Sequence, residues 1–157
     1  ISQEVEKKSF SLAQEVVTAL DFVGILAVEL FLTKTGEVLV NEVAPRTHNS
    51  GHHTIESCHT SQFEQQVRAV LDLPLGNTEL ISPAVMLNLL GQEGFTGTVK
   101  YEGLAEVLAK KGVAIHLYGK AATKPFRKMG HVTIVSETLE DAKDVAVQIK
   151  KELKVKA

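Results

Sequence analysis

The fold of this chain is decided by a predicted β-hairpin, which reads Val23-Gly24-Ile25-Leu26-Ala27-Val28-Glu29-Leu30-Phe31-Leu32, then Thr33-Lys34-Thr35-Gly36, then Glu37-Val38-Leu39-Val40-Asn41-Glu42-Val43. The first segment is apolar on both strand faces, so we expect it to be largely buried. The middle segment has the composition of a turn, and the last segment is predicted as the returning strand. Glu29 interrupts the apolar run, and a buried carboxylate is costly unless a cation or hydrogen bonds compensate its charge.

The pairing of the two strands decides where Glu29 and Glu42 point. If residues 33–36 form a four-residue loop, Glu42 lies opposite Ala27, which shares a strand face with Glu29. The two carboxylates are then diagonal neighbours on one face, a spacing that suits hard divalent cations held against nucleotide phosphates. A one-residue slip would turn one carboxylate to the other face. The alternative is an ordinary pairing of Glu29 with an Arg or Lys across the sheet.

A polar loop at residues 44–55 is predicted to leave the second strand beside these carboxylates. Arg46 can fork onto the oxygens of phosphate or bicarbonate, and His48 and Asn49 add hydrogen-bond donors. An anionic intermediate would meet both positive charge and oriented donors there. An ordinary surface turn is the alternative.

A zinc site is a further alternative for this region, and its candidate ligands are His48, His52, His53, Cys58 and His59. Their spacing lacks the paired-ligand pattern of a structural zinc site. Cys58 is instead expected at the start of the next helix, as a small buried side chain.

The rest of the chain alternates between helices and strands. Helices are predicted at 4–20, 61–71 (with Thr60 as N-cap), 102–110 and 139–153, and further strands at 84–90, 113–118 and 130–135. A break at residues 73–77 divides the predicted α/β (α+β) chain into residues 1–75 and 76–157, and a basic loop occupies residues 119–127.

Composition narrows the function classes. The 157 residues are 44% hydrophobic and carry a net charge of −2, which supports a folded core and gives no indication of a nucleic-acid or membrane partner. No apolar run approaches the roughly 20 residues that span a bilayer. Cys58 is the only cysteine, which fits a reducing compartment and predicts a cytoplasmic location. The first residues do not form a signal peptide and lack an initiator Met, so the chain is expected to be a fragment or a processed product.

Several motifs resemble 5-(carboxyamino)imidazole ribonucleotide synthetase, an ATP-grasp enzyme of purine biosynthesis and the ATPase subunit of phosphoribosylaminoimidazole carboxylase. The motifs are the hairpin glutamates, Asn41-Glu42-x-Ala44-Pro45-Arg46-x-His48-Asn49-Ser50-Gly51-His52, Thr60-Ser61-Gln62-Phe63-Glu64-Gln65, Leu73-Pro74-Leu75-Gly76 and Arg127-Lys128-Met129-Gly130-His131. The long loop motif is specific, whereas the two acids alone would indicate only an ATP-grasp fold. The resemblance implies that residues 1–75 are the second half of an ATP-grasp domain, with antiparallel sheet and helices. Residues 76–157 are then a small β-rich carboxyl-terminal lobe.

The resemblance also implies a ligase reaction. ATP phosphorylates bicarbonate to carboxyphosphate, and the exocyclic amine of 5-aminoimidazole ribonucleotide captures the carboxyl group, with ADP and phosphate released. The implied site comprises Glu29 and Glu42 as ligands of Mg²⁺ (or Mn²⁺), Asn41 and Glu42 at ATP, Arg46, His48 and Asn49 as catalytic residues, and Lys120, Arg127 and Lys128 at the ribonucleotide phosphate. From the residues alone, the alternative for the last three is a solvated basic loop, and Lys128 fits simple surface charge better than Arg127 does.

The chain departs from the family pattern at three positions. Lys124 and Phe126 stand where Arg and Gly are common, and Gln66 stands where His is common. Lys cannot form a bidentate fork, which weakens a direct phosphate role for Lys124. No Gly-rich loop precedes the hairpin. We therefore expect the amino-terminal lobes of the same enzyme as partners, a homodimer by family habit, and no turnover by this chain alone.

Two rival functions stay open at this point. One is a formate-dependent glycinamide ribonucleotide transformylase of the ATP-grasp type. The sequence of residues 47–52 favours 5-(carboxyamino)imidazole ribonucleotide synthetase over this transformylase. The other is a non-catalytic ATP-grasp remnant that acts as a binding module. Intact Glu29, Glu42 and Arg46 argue against such decay.

Overall fold

The computed structural model describes every residue from Ile1 to Ala157. The helices are α1 (Gln3–Ala19), α2 (Thr54–Ser57), α3 (Gln62–Val70), α4 (Leu104–Leu108) and α5 (Leu139–Glu152). The strands are β1 (Ala27–Leu32), β2 (Val38–Ala44), β3 (Ala84–Leu90), β4 (Gly97–Thr98), β5 (Lys100–Glu102), β6 (Val113–Leu117), β7 (Ala122–Thr123), β8 (Lys128–Val135) and β9 (Lys154–Lys156). All paired strands are antiparallel, which confirms the predicted mixture of helices and antiparallel sheet. None of the helices combines the length and the apolar content that crossing a lipid bilayer requires.

The chain divides into two compact units. Unit 1 contains residues 1–51 and 60–77, and unit 2 contains residues 52–59 and 78–157. The segment 52–59 therefore belongs with the later part of the chain, an exchange that the sequence did not predict. The proposed boundary between residues 75 and 76 stays a prediction about domains.

Unit 1 is built from α1, the β1–β2 hairpin and α3. Helix α1 begins at Gln3, one residue earlier than predicted, because the hydroxyl of the N-cap Ser2 accepts a hydrogen bond from the backbone N–H of Val5 at 3.3 Å. Helix α3 begins one residue later than predicted. Its N-cap is Ser61, whose hydroxyl accepts from the N–H of Glu64 at 3.2 Å, rather than Thr60.

The hairpin turn is one residue tighter than predicted. Thr33 lies opposite Glu37 and donates its backbone N–H to the Glu37 carbonyl at 2.9 Å, which leaves a three-residue loop at 34–36. Gly36 completes this loop with φ of 84°, a left-handed conformation that closes three-residue hairpins. The four-residue loop of the prediction was therefore wrong, and the register of the hairpin shifts with it.

The predicted burial of the first hairpin strand was also wrong. Phe31 is 59% exposed and Leu32 52% exposed, and no residue of β1 is fully buried. A two-stranded sheet has two faces to cover, and unit 1 supplies only the helices α1 and α3 to cover them. Unit 1 therefore leaves part of the apolar side chains of β1 exposed.

Unit 2 contains the main hydrophobic core. A three-stranded sheet in the order β3-β8-β6 packs against α5, and β8 is buried over most of its length. Met129, Val132 and Ile134 of β8 lie against Ala142 and Ile149 of α5, all at 5% exposure or less. This core buries β8, and the loop that precedes β8 carries the basic residues.

Several short elements differ from the prediction. The loop predicted over residues 44–55 contains a 3-10 turn at Asn49–Gly51 and the start of α2. Cys58 follows α2 rather than starting the next helix, is only half-buried, and pairs with Leu80 in an isolated β-bridge. The helix predicted from residue 102 begins at Leu104, because strand β5 occupies residues 100–102 and pairs with the unpredicted β9.

Candidate functional site

A β-bulge in the hairpin brings three polar side chains together. Glu29 of β1 lies directly opposite Glu42 of β2. The next pair is Leu30 with Val40, so Asn41 is the extra residue of the bulge. The Asn41 amide donates to the Glu29 carboxylate at 3.4 Å. The bulge thus places an amide and two carboxylates at one point of the hairpin.

The register differs from the prediction, although the shared face of the carboxylates does not. Ala27 pairs with Ala44 rather than with Glu42. Residues directly opposite each other in an antiparallel pair project from one face, with Cβ atoms roughly 4.5–5.5 Å apart. Glu29 and Glu42 are therefore cross-strand neighbours, closer than the diagonal pair that the four-residue loop implied.

His48 approaches the same carboxylates from the loop after β2. Its Nε2 lies 3.2 Å from the Glu29 carboxylate, and its Nδ1 lies 2.8 Å from the Ser50 hydroxyl. The backbone N–H of Ser50 also points at Nδ1, at 3.4 Å. A nitrogen that accepts from a backbone N–H carries no proton of its own, so this geometry places the ring proton on Nε2. His48 thus donates to Glu29.

Arg46 extends from the same loop towards solvent. Its side chain is exposed, donates to the Thr47 carbonyl at 3.0 Å, and forms no ion pair. Most of the guanidinium donors therefore remain directed outward, as an anion-binding fork requires. Asn49 begins the 3-10 turn and is half-buried.

The backbone of the loop is held by a residue that the sequence reasoning did not single out. Gln62 of α3 accepts from the N–H of His48 at 2.9 Å and donates to the His48 carbonyl at 2.7 Å. A Cβ on Gly51 would lie 2.6 Å from Gln62 Oε1, so the glycine leaves room for this contact. Gln62 belongs to the Thr60–Gln65 motif of the resemblance, but the sequence did not indicate that it binds the His48 backbone.

The oxygen donors at the bulge fit a hard divalent cation. Glu29 is partly exposed, and Glu42 and Asn41 are exposed, so all three can reach a ligand in solvent. No three His, Cys, Asp or Glu side chains converge to hold a metal by themselves. Mg²⁺ usually binds through one or two carboxylates together with substrate phosphates. The donor set therefore fits an ion shared with a nucleotide better than an all-protein metal cage.

The basic loop of unit 2 presents its three predicted cations in different ways. The Lys120 ammonium donates to the Lys128 carbonyl at 2.6 Å and lies 5.8 Å from the centroid of the Tyr118 ring. Arg127 donates to the Ala122 carbonyl at 2.8 Å, which orients its guanidinium across the loop. Lys128 contributes its carbonyl to this arrangement, and its own side chain is exposed.

Phe126 adopts a backbone conformation that favours glycine. Its φ is 62°, and its side chain is 68% exposed. A residue with a Cβ pays roughly 1–2 kcal/mol in the left-handed region. This strain gives a physical reason for Gly being common at this position of the family pattern.

A cluster of imidazoles in unit 2 was not predicted. His116 of β6 pairs directly with His131 of β8, and their rings stack at a centroid distance of 4.5 Å. His52 packs on His131 at 4.8 Å, and the Tyr118 hydroxyl lies 3.0 Å from His131 Nδ1. The Glu56 carboxylate lies 2.6 Å from His116 Nε2.

His131 is the buried centre of this cluster. It is 3% exposed, and its Nε2 is buried without a hydrogen-bond partner. Burial lowers the pKa of His131 to about 4, aided by the charges of His116 and His52 and opposed by Glu56. Burial also raises the pKa of the Tyr118 hydroxyl. His131 is therefore neutral at neutral pH.

The residues weighed for zinc take separate partners. His48 contacts Glu29 and Ser50 in unit 1, whereas His53 lies 2.7 Å from the Ser57 hydroxyl in unit 2. His59 is exposed. These contacts give the imidazoles hydrogen-bonding and packing roles.

Two family models match the chain. Residues 1–63 match the model described as ATP-grasp domain, and residues 84–145 match the model described as Phosphoribosylaminoimidazole carboxylase C-terminal domain. The N5-carboxyaminoimidazole ribonucleotide synthase of Bacillus subtilis (strain 168) is 49% identical over 138 residues, which are 87% of this chain and 34% of that protein. The chain thus spans about a third of the length of this curated relative.

Solved structures give the same similarity. N5-carboxyaminoimidazole ribonucleotide synthetase from Thermotoga maritima superimposes with a TM-score of 0.91 at 55% identity, over 100% of this chain and 44% of that one. The Aspergillus clavatus N5-carboxyaminoimidazole synthase in complex with ADP and 5-aminoimidazole ribonucleotide superimposes with a TM-score of 0.81 at 35% identity, over 96% of this chain and 40% of that one.

Proposed function

The chain belongs to the N5-carboxyaminoimidazole ribonucleotide synthetase family, with its ATP-grasp and carboxyl-terminal domains, and we propose that it supplies the acidic hairpin and the basic loop of such an enzyme. The proposed reaction is the ATP- and bicarbonate-dependent carboxylation of 5-aminoimidazole ribonucleotide. It forms a carbon–nitrogen bond by way of carboxyphosphate and releases ADP and phosphate.

The observation that most supports this proposal is the cluster at the bulge. Glu29, Asn41 and Glu42 meet there, and His48 donates to Glu29 from the loop. Two carboxylates on one face, followed by an exposed arginine, provide opposite charges for a metal and for a phosphoryl group. Phosphoryl transfer depends almost entirely on such positioning and charge stabilisation.

In this proposal Glu29 and Glu42 would hold Mg²⁺ or Mn²⁺ at the nucleotide. When bound, that cation would neutralise negative charge on the phosphates of ATP. Asn41 holds the Glu29 carboxylate through its amide. We propose that Asn41 and Glu42 contact the nucleotide and that the Arg46 guanidinium stabilises the transferring phosphoryl group.

His48 and Asn49 are proposed to lie at bicarbonate and at the reacting amine. The Nε2 proton of His48 is engaged with Glu29, so this imidazole fixes the direction of a metal-binding carboxylate. Nδ1 is engaged with Ser50. We therefore propose that His48 positions neighbouring groups through its hydrogen bonds to Glu29 and Ser50.

The basic loop of unit 2 is proposed to bind the phosphate of the ribonucleotide. Arg127 is oriented by its bond to the Ala122 carbonyl, and Lys120 is placed by its bond to the Lys128 carbonyl. Charge-assisted hydrogen bonds to a phosphate dianion are short and strong. Lys128 would add long-range charge from its exposed position.

The proposal extends to the remainder of the protein. Because the chain spans about a third of its curated relative, we propose that turnover requires the other lobes of the same enzyme and that this chain alone is inactive. A second copy of the enzyme is the proposed oligomeric partner, which light scattering would test. The single cysteine supports a cytoplasmic location.

ADP release by the full-length enzyme tests the proposed reaction. With ATP, Mg²⁺ and bicarbonate, we expect strong stimulation by 5-aminoimidazole ribonucleotide. Activity on formate and glycinamide ribonucleotide instead would assign the chain to a transformylase. No ADP release with either substrate pair, together with failure to bind Mg²⁺-ATP, would favour a non-catalytic module.

A further inference from the structure

Three glutamines on α3 each bind the backbone of a different segment of unit 1. Gln62 pairs with His48, Gln65 pairs with Gly76, and Gln66 accepts from the N–H of Ile25 at 2.6 Å. Gln65 and Gln66 follow Gln62 by three and four residues, so both are neighbours of Gln62 on the helix surface. Helix α3 therefore organises the loop before it, the turn after it and the entry to β1.

The Gln62 contact is a two-pronged clamp on the segment that carries His48. Its carbonyl accepts from the His48 N–H at 2.9 Å, and its amide donates to the His48 carbonyl at 2.7 Å. Both backbone groups of one residue are thereby fixed, as they would be by a neighbouring β-strand. With the backbone held on both sides, the imidazole is held in the direction that reaches Glu29.

Gly51 shows how closely the clamp fits. A Cβ at this position would lie 2.6 Å from Gln62 Oε1 and 2.7 Å from Gln62 Cδ. Because these atoms are the far end of a flexible side chain, an added methyl group would displace the amide. Gly51→Ala therefore breaks the clamp while leaving Gln62 in place.

Gln65 makes the same kind of contact away from the acidic hairpin. It accepts from the Gly76 N–H at 2.9 Å and donates to the Gly76 carbonyl at 2.8 Å. The residue is 7% exposed, so its bonds hold the end of unit 1 through a buried amide. Gln65 is thus a matched control for Gln62, because it is the same side chain on the same helix and also binds both backbone groups of one residue.

We infer that Gln62 is a positioning residue that holds His48, and through it Glu29, in the geometry that turnover requires. This inference rests on the proposed function of the hairpin. Gln62 acts through the backbone of His48, which it binds at both the N–H and the carbonyl. A displacement of about 1 Å in such a group lowers turnover by up to about a hundredfold.

The test compares Gln62→Ala, Gly51→Ala and Gln65→Ala in the full-length enzyme. We expect the first two to lower kcat by about ten- to a hundredfold with little change in KM for ATP, since the hairpin carboxylates remain. Gln65→Ala should lower the melting temperature at least as much and keep kcat within about twofold of wild type. Equal losses of kcat at Gln62 and Gln65, or a kcat for Gln62→Ala within about twofold of wild type, would overturn the inference.

A second measurement separates this inference from the proposed reaction. Nitrogen-15 NMR of the His48 ring should show the proton on Nε2 in the wild type and in Gln65→Ala, and a mixture of tautomers in Gln62→Ala. If the enzyme does not carboxylate the ribonucleotide but the tautomer responds in this way, the reaction is wrong and the clamp stands. An unchanged tautomer in Gln62→Ala refutes the clamp whatever the enzyme catalyses.

Discussion

The neutral imidazole of His131 should make unit 2 lose stability as the pH falls below neutrality. Its pKa is lowered from the usual 6.5 to about 4, chiefly by burial and secondarily by His116 and His52, while Glu56 acts in the opposite direction. Between these two values the unfolded chain binds a proton that the folded chain excludes. The contribution of His131 is therefore complete above about pH 6.5 and is lost progressively down to about pH 4.

The two pKa values set the size of the effect. Applied to 6.5 and about 4, the linkage relation gives a loss of about 2 kcal/mol in the free energy of unfolding between pH 7 and pH 5. For a chain of this size that corresponds to roughly 4–8 °C in the melting temperature. The cause is desolvation of the ring beside two further imidazoles, with the Tyr118 hydroxyl at Nδ1.

Urea unfolding followed by circular dichroism at both pH values measures this loss. His131→Gln removes the titrating group, so the variant should lose about 2 kcal/mol less than the wild type between pH 7 and pH 5. His59→Gln is the matched control, because it removes an exposed imidazole from the same unit. Equal pH dependence in wild type and His131→Gln would refute the reasoning. If His131→Gln does not fold, an NMR titration that finds His131 protonated at pH 5 in the wild type would refute it equally.

Three further predictions concern the hairpin and the basic loop. Glu42→Gln keeps the side-chain shape and removes charge, so kcat of the full-length enzyme should fall at least about a hundredfold with the urea midpoint unchanged. The control Glu37→Gln, an exposed change near the turn, should keep activity. Full activity in Glu42→Gln would contradict the metal assignment. Arg127→Ala should raise KM for the ribonucleotide about ten- to a hundredfold and raise KM for ATP much less. An equal increase in both KM values would contradict the phosphate role. So would an equal increase in KM for the ribonucleotide in Lys124→Ala. Phe126→Gly should raise the free energy of unfolding by about 0.5–1 kcal/mol, because relief of the left-handed backbone strain exceeds the added entropy of the unfolded chain. A lower urea midpoint would show that packing of the ring outweighs the strain.

The shared face of the two hairpin carboxylates could be predicted from the sequence, whereas the register of the strands could not. A carboxylate inside an apolar run and a second one on the returning strand were enough to propose a pair on one face. The loop length depends on Thr33, whose N–H bonds to Glu37 and shortens the turn by one residue. The bulge at Asn41 then shifts the pairing again. Strict alternation carries no signal of an extra residue, so a sequence argument misses the bulge.

The imidazole cluster was missed for a related reason. His116 and His131 lie on strands whose positions were predicted, but their stacking follows from the pairing of β6 with β8. If the register of β6 and β8 had been known, the cross-strand pairing of the two histidines could have been predicted. His52 joins them because residues 52–59 lie in unit 2, and no composition change in the loop marks that exchange.

Gln62 shows where sequence reasoning reaches its limit in this chain. A glutamine in the first turn of a helix reads as an ordinary surface residue, since helix propensity and charge patterning assign it no partner. Its role arises because the preceding loop returns its backbone to the helix and because Gly51 leaves space for the amide. The bulge sets the directions of the acidic side chains, and the clamp sets the direction of the imidazole that binds one of them. Both depend on irregular backbone, where hydrophobic periodicity makes no prediction. Candidate site residues can therefore be proposed from the sequence more readily than the residues that orient them.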